Sequence, residues 1–128
     1  MSAVLQLAGS QVSNVVEVAA AAYTTSGNSG VLGGYAPAST LIIQQSVTVI
    51  TGTLPTLDMV VEDTLDGINW RSLGTTFAQV LTVTGTVYQV VTVPFTDRIR
   101  VRWTLGGTLP SYTMSVQVFA KGILGSSR

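Results

Sequence analysis

The chain has 128 residues, with six basic and six acidic side chains and neither His nor Cys. This length suits one domain with one hydrophobic core and is too short for two. Zero net charge argues against a nucleic-acid binder, which needs a basic surface to displace counterions from phosphates. The lack of His and Cys excludes Ser-His-Asp, Cys-His and zinc sites built from this chain alone.

The composition favours an all-β fold, because 19 Val and 18 Thr are residue types that suit a pleated, half-buried surface. Only 9% of the residues are charged, against about 25% in ordinary soluble domains. The outward surface must then consist mainly of Thr, Ser, Gln and Gly, and it is easy to desolvate. Because neutrality favours association, we expect a homo-oligomer or a subunit of a larger assembly.

The amino-terminal part differs from the rest of the chain. Residues 1–10 have no basic residue ahead of an apolar stretch, so we expect no signal peptide and no membrane span. Residues 15–23 fit either a short strand or a helical turn, and residues 24–34 are rich in Gly and Ser, which is typical of a flexible stretch. We therefore predict an N-terminal arm or extended segment over residues 1–39 and a β-sandwich domain over 40–128.

From Thr40 onward, short apolar or alternating runs are separated by turn residues, at the spacing of a sandwich or barrel. The predicted strands are 40–51, 57–64, 68–73, 76–84, 86–93, 98–104 and 112–121. Their predicted separators are 52–55, 66–67, 74, 85, 94–97 and 106–110. The Asp66-Gly67 pair is a strong hairpin signal, since both residue types tolerate positive φ.

Alternation is clearest in residues 98–103, where period 2 places Ile99, Val101 and Trp103 inward. Two further inward sets are Leu57, Met59 and Val61, and Tyr112, Met114, Val116 and Val118. Two antiparallel sheets packed face to face would bury all three sets. The pattern therefore predicts a single β-sandwich, and it leaves a jelly roll and an immunoglobulin-like topology equally open.

Few residues offer catalytic chemistry. Asp58 and Glu62 share a strand face but lie about 13 Å apart along it, whereas glycosidase carboxyl pairs need roughly 5 to 9.5 Å. Lys121 is the only lysine, and nothing marks a serine as its partner. We expect no enzymatic activity and no cofactor.

The segment Thr64-Leu65-Asp66-Gly67-Ile68-Asn69-Trp70 allows two interpretations. Oxygens of Asp63, Asp66 and Asn69 are possible calcium ligands, but their spacing departs from the loop that holds calcium at alternate positions. In a plain hairpin, Asp66 would bond its own backbone, Gly67 would take positive φ and Trp70 would return to the core. We favour the hairpin and expect no metal.

Four segments between Leu57 and Gly122, about half of the chain, resemble small virion proteins of tailed bacteriophages. They are LDMVVEDTLDGINWRSL, TFAQV, VPFTDRIRVRWTLGG and SYTMSVQVFAKG. The shared features are a strand ending in acidic residues, a Ser/Thr-x-Asp-Gly-x-x-Trp hairpin, an Arg-Val-Arg-Trp-like strand and a last strand ending near Lys-Gly. The hairpin also resembles the Asp-box of sialidase propellers and turns in discoidin-like carbohydrate-binding modules, although one copy is too few for a propeller.

The resemblance implies a decoration or cement protein that lies on the capsid surface, made in the host bacterial cytoplasm and bound to the major capsid protein or other virion proteins. A head–tail connector or tail protein is an alternative. A carbohydrate-binding module on a phage fibre is a third, and it predicts exposed aromatic side chains on one sheet face, whereas decoration predicts buried Trp70 and Trp103.

Two explanations compete for the outward charges of the predicted strands, Arg98, Arg100 and Arg102 on one and Asp58 and Glu62 on another. If the two strands are neighbours in one sheet, the rows form cross-strand ion pairs and serve the fold. If they are apart, both rows are free to hold a partner protein through charge-assisted hydrogen bonds. We favour partner binding, because half of the few basic residues lie within these five positions.

Overall fold

The computed structural model describes residues 11–35 and 38–122. Within these ranges the chain forms strands and no helix, which confirms the predicted all-β class. The strands are β1 (Gln11–Tyr23), β2 (Gly27–Asn28), β3 (Thr40–Thr64), β4 (Trp70–Thr76), β5 (Gly85–Val91) and β6 (Arg98–Gly122).

Two strands of 25 residues, β3 and β6, form the centre of the fold. They pair antiparallel over almost their whole length, from Thr40 opposite Lys121 to Thr64 opposite Arg98. The prediction of four shorter strands here is corrected, because residues 52–55 and 106–110 do not connect strands. These residues are irregularities inside β3 and β6, where the pairing register shifts.

The irregularities bend both central strands sharply. Gly52 and Gly107 have φ of 117° and 99°, and Leu54 and Leu109 also have positive φ. Fourteen residues of extended strand would span about 46 Å, yet the Nε2 of Gln45 lies 3.5 Å from the sulfur of Met59. The first half of β3 therefore folds back over its second half, and β6 follows it.

The bend creates two layers. Layer 1 has the strand order β1, β6, β3, β5 and uses residues 110–122 and 40–51 of the long strands. Layer 2 has the order β2, β6, β3, β4 and uses residues 98–106 and 56–64.

One hydrophobic core lies between the layers, which is consistent with the predicted sandwich. Side chains alternate between buried and outward positions along the paired strands. All three predicted inward sets are buried: Leu57, Met59 and Val61; Ile99, Val101 and Trp103; Tyr112, Met114, Val116 and Val118. The period of 2 therefore predicts the buried face of each of these strands correctly.

Parts of the amino-terminal segment contribute to the sheet. Residues 15–23, left open between strand and helix, belong to β1, which pairs with the last part of β6. Residues 27–28 pair with Trp103 and Arg102, and Leu32 and Tyr35 are buried in the common core. The expectation of a flexible stretch at 24–34 is therefore corrected, since backbone hydrogen bonds to β6 hold it. The division of the chain at residue 39 stays a prediction.

The region between β4 and β5 also differs from expectation. The sequence predicts a strand over 76–84, but β4 ends at Thr76, and beyond it only short contacts with β3 form, at Phe77 and Val80. The chain crosses here from layer 2 to layer 1. Its apolar side chains Leu81 and Val83 are consequently exposed, at 51% and 80%.

Candidate functional site

The Asp66-Gly67 segment forms the predicted hairpin between β3 and β4. One carboxylate oxygen of Asp66 accepts hydrogen bonds of 2.8 Å from the backbone amides of Ile68 and Asn69, and the other accepts one from the Asn69 side chain. These bonds, from the two amides above all, hold the pKa of the Asp66 carboxyl far below its ordinary value. Gly67 has φ of 80°, as such a turn requires. The oxygens of the Asp66 carboxylate are therefore bound by hydrogen bonds from within the loop itself.

Asp63 points into the core side of the sheet and is fully buried. Its carboxylate accepts from Nε and Nη2 of Arg71, at 2.6 and 3.1 Å, and from the amide of Thr96 at 2.9 Å. Burial raises the pKa of Asp63, but the bonds from Arg71 and Thr96 outweigh burial and lower the pKa overall. In residues 11–35 and 38–122, no three acidic, His or Cys side chains are grouped as metal ligands.

The arginine row lies on the outer face of layer 2 and meets Glu62. Nε of Arg100 lies 2.7 Å from one carboxylate oxygen of Glu62, and Nε of Arg102 lies 3.1 Å from the other. The guanidinium of Arg100 also stacks over Trp70, with Cζ 4.3 Å from the ring centroid. Glu62 is only 6% exposed, although it faces outward, because these side chains cover it.

The structure thus brings the two predicted rows together. Glu62 sits directly opposite Arg100 across β3 and β6, Arg98 donates to the Leu65 carbonyl at 2.6 Å, and Asp58 accepts from the Gln79 amide at 3.0 Å. These contacts match the explanation in which the charges serve the fold. Binding of a partner by the same five residues stays a prediction, with the Arg102 side chain 44% exposed and Asp58 also exposed.

The tryptophans occupy opposite sides of layer 2. Trp103 is buried, and its Nε1 donates to the carbonyl of Thr25 at 3.0 Å. Trp70 does not return to the core as expected. It pairs with Thr64, whose side chain lies on the outward side, and is half-buried beneath Arg100.

Residues considered for catalysis are engaged elsewhere. Asp58 and Glu62 bind Gln79 and the two arginines, respectively. Lys121 is exposed at the end of β6, where its backbone carbonyl accepts from the Ser39 hydroxyl.

Charge is distributed very unevenly between the layers. Of the eleven charged residues in the described part of the chain, nine lie in layer 2 or its loops. The other two are Glu17, which accepts a hydrogen bond from the Tyr35 hydroxyl, and Lys121 at the end of β6. The outer face of layer 1 is therefore uncharged over most of its area.

We call this surface the neutral face. It consists of Val16, Ile42, Gln44, Ser46, Thr86, Tyr88, Val90, Thr113, Ser115, Gln117 and Phe119. Val16, Tyr88 and Val90 are 53%, 59% and 52% exposed. A shallow depression of about 250 Å³ lies between Tyr88, Phe119 and the two glutamines. An uncharged surface with exposed apolar side chains is suited to burial against another protein.

The sequence interpretation missed the neutral face. The signal was present, because every outward position of residues 42–46, 86–90 and 113–119 is uncharged. These uncharged positions form one continuous surface only because the three segments are neighbours in one sheet.

No helix among the described residues is long and apolar enough to cross a membrane. No protein-family model matches the chain, and no curated protein matches it in sequence. Among solved structures, the chain is similar to one described as the structure of infectious bursal disease virus Gx strain. Identity is 12% and the TM-score is 0.45, over 93% of this chain and 33% of the viral chain. The chain thus spans about a third of that protein, and a likeness at this level says nothing about function.

Proposed function

We propose that the protein is a structural virion protein of a tailed phage that binds the capsid surface as a decoration or cement protein. The observation that carries the proposal is the neutral face, which offers an uncharged surface of apolar and amide side chains to a partner. Such a surface loses little free energy on desolvation, because it contains no ion to strip of water.

The rest of the molecule supports this assignment. The charges of layer 2 are largely bound to one another, which leaves a charged and hydrated outer side opposite the neutral face. A protein that adheres on one side and remains hydrated on the other suits the exterior of a particle. The likeness of residues 57–122 to small tailed-phage proteins gives the proposal its partner, the major capsid protein.

The test is binding to expanded empty capsids of the same phage. Gln117→Glu keeps the side-chain shape and adds one charge in the middle of the neutral face, between Val16 and Gln44. We expect capsid affinity to fall at least about tenfold, since a carboxylate buried without a partner costs more than 1.4 kcal/mol, while thermal stability is unchanged. Co-sedimentation with capsids measures the affinity.

Thr76→Glu is the matched control, because it adds the same charge to an exposed position of β4 in layer 2. It should bind capsids like the wild type. If Gln117→Glu binds normally and Arg102→Ala does not, the interface belongs to the arginine row. If the wild type binds no capsid, the decoration role is wrong, and cosedimentation with purified tails then tests the connector or tail alternative.

A second candidate function, carbohydrate binding, is favoured by the depression on the neutral face. An exposed Tyr88, a partly exposed Phe119 and the amides of Gln44 and Gln117 line it, and aromatic rings with amide groups suit a sugar ring. Binding of host-surface oligosaccharides that is lost in Tyr88→Ala would support this function. Of the two tryptophans that decoration predicts to be buried, Trp103 is buried and Trp70 is half-buried.

A further inference from the structure

In the part of the chain that the structure describes, four strands lie at sheet edges, and three of them are protected against pairing with another chain. β1 contains two register shifts and Glu17, β2 has only two residues, and β4 contains a register shift and Arg71. Bulges, short length and charge are the common devices that prevent edge-to-edge association.

Strand β5 carries none of these devices. Its seven residues, Gly-Thr-Val-Tyr-Gln-Val-Val, include no charge and no proline. They pair with β3 in an unbroken register, and among residues 11–35 and 38–122 no strand pairs with the other side of β5. Val87, Tyr88 and Val90 are 44% to 59% exposed. A flat, apolar, unprotected edge is a template for another strand.

We propose that β5 is a self-association edge, at which β5 of a second copy adds antiparallel about a twofold axis through Tyr88. Tyr88 is the middle residue of the seven, so pairing centred there overlaps the full strand. Thr86 then lies opposite Val90 of the second copy and Tyr88 opposite its own counterpart, and Thr, Val and Tyr are residue types that favour strands.

Charge identifies a second copy as the occupant. A twofold contact places each side chain against the same surface of its mate, so any charge near the axis would be repelled. β5 and the adjoining residues 77–84 contain no charged side chain. An added strand also covers Leu81 and Val83, which border a groove beside Val87.

The paired molecule has one continuous layer of eight strands, with two neutral faces joined side by side. This deepens the proposed function by doubling the adhesive area, but self-association requires no capsid. Sedimentation of the purified protein therefore tests self-association through β5, and capsid binding tests the decoration role separately.

The first experiment uses charge at the axis. Tyr88→Lys and Tyr88→Glu should each raise the dimer dissociation constant at least about tenfold, because each places like charges opposite one another. An equal mixture of the two should sediment as a dimer again, because only pairing centred on residue 88 sets Lys against Glu. Circular dichroism checks that both variants keep the wild-type strand content.

Val16→Lys is the control, since Val16 has the exposure of Val90 and lies on the same face but on β1. It should leave the dimer intact. Three results would overturn the proposal: a wild type that stays monomeric at its highest soluble concentration, dissociation by Val16→Lys equal to that by Tyr88→Lys, or a mixture that does not reassociate.

A second experiment avoids charge. The chain has no cysteine, so Tyr88→Cys introduces a single thiol. Directly opposite residues of an antiparallel pair have Cα atoms about 4.5 to 5.5 Å apart, within the range a disulfide spans. Mild oxidation should yield a covalent dimer with Tyr88→Cys and none with Val16→Cys. A wild-type dimer without this cross-link would assign the contact to another surface.

Discussion

At the scale of single residues, the two tryptophans show how the same side chain serves different purposes on the two faces of one layer. Trp103 packs inward against Tyr23, with ring centroids 5.2 Å apart, and its indole nitrogen donates to a backbone carbonyl. Trp103→Ala should lower the free energy of unfolding by roughly 3 to 5 kcal/mol, the range for removal of a buried large aromatic ring. Urea unfolding measures the change.

Trp70→Ala is the paired comparison for Trp103→Ala. Its ring is only partly buried and stacks against the guanidinium of Arg100, so a loss of about 1 to 2 kcal/mol is expected. Equal losses for the two substitutions would contradict the assignment of opposite faces.

At the scale of elements, the bends in β3 and β6 decide the architecture. A Cβ added to Gly107 would lie 2.5 Å from the Leu54 carbonyl oxygen, so the two bends are packed directly against each other. Gly107→Ala combines a left-handed φ with a clash against backbone, and we expect it to prevent folding or to cost well over 2 kcal/mol. Thermal unfolding is the measurement.

Gly74→Ala separates the cost of the left-handed backbone conformation from the cost of the clash that Gly107→Ala also causes. Gly74 also has positive φ, at 78°, but no atom lies within 4 Å of an added Cβ. This variant should lose only about 1 to 2 kcal/mol, the cost of the left-handed conformation. If the two alanine variants unfold alike, the close approach of the bends contributes nothing.

At the scale of the whole molecule, stability should depend on pH in two opposite ways. Burial raises the pKa of Glu17 above its ordinary value of 4.5, although the bond from Tyr35 opposes the shift. The folded state then binds this proton more tightly than the unfolded state, so its contribution is lost as pH rises through the raised pKa. The lowered pKa values of Asp63 and Asp66 act in the other direction, and their contribution is lost as pH falls below 3.8.

Glu17→Gln isolates the first of these pH effects. The amide keeps a hydrogen-bond acceptor for Tyr35 but does not titrate. The decline in stability above about pH 4.5 should therefore flatten, while the loss of stability at low pH, which comes from Asp63 and Asp66, should remain. Urea midpoints between about pH 3 and about pH 7 measure both limbs. An unchanged profile above pH 4.5 would show that Glu17 does not govern it.

Local pattern in the sequence was sufficient for the all-β class, for the inward sets and for the Asp66-Gly67 hairpin. Each depends on residues within one strand or turn, where the period of 2 and turn chemistry act directly. The sequence also placed the arginine row and Asp58 with Glu62 on outward positions. These are properties of a segment by itself.

Only the tertiary structure decided which segments are neighbours. Glycines at positions 52 and 107 are compatible both with a turn between two strands and with a bend inside one strand. The bends in β3 and β6 form because the two halves of each long strand pack over one another. The partnership of Glu62 with Arg100, 38 positions away in sequence, follows from the pairing of β3 with β6. The neutral face and the open edge of β5 depend likewise on strand order. Strand order is set by contacts distant in sequence, and a local pattern carries no information about them.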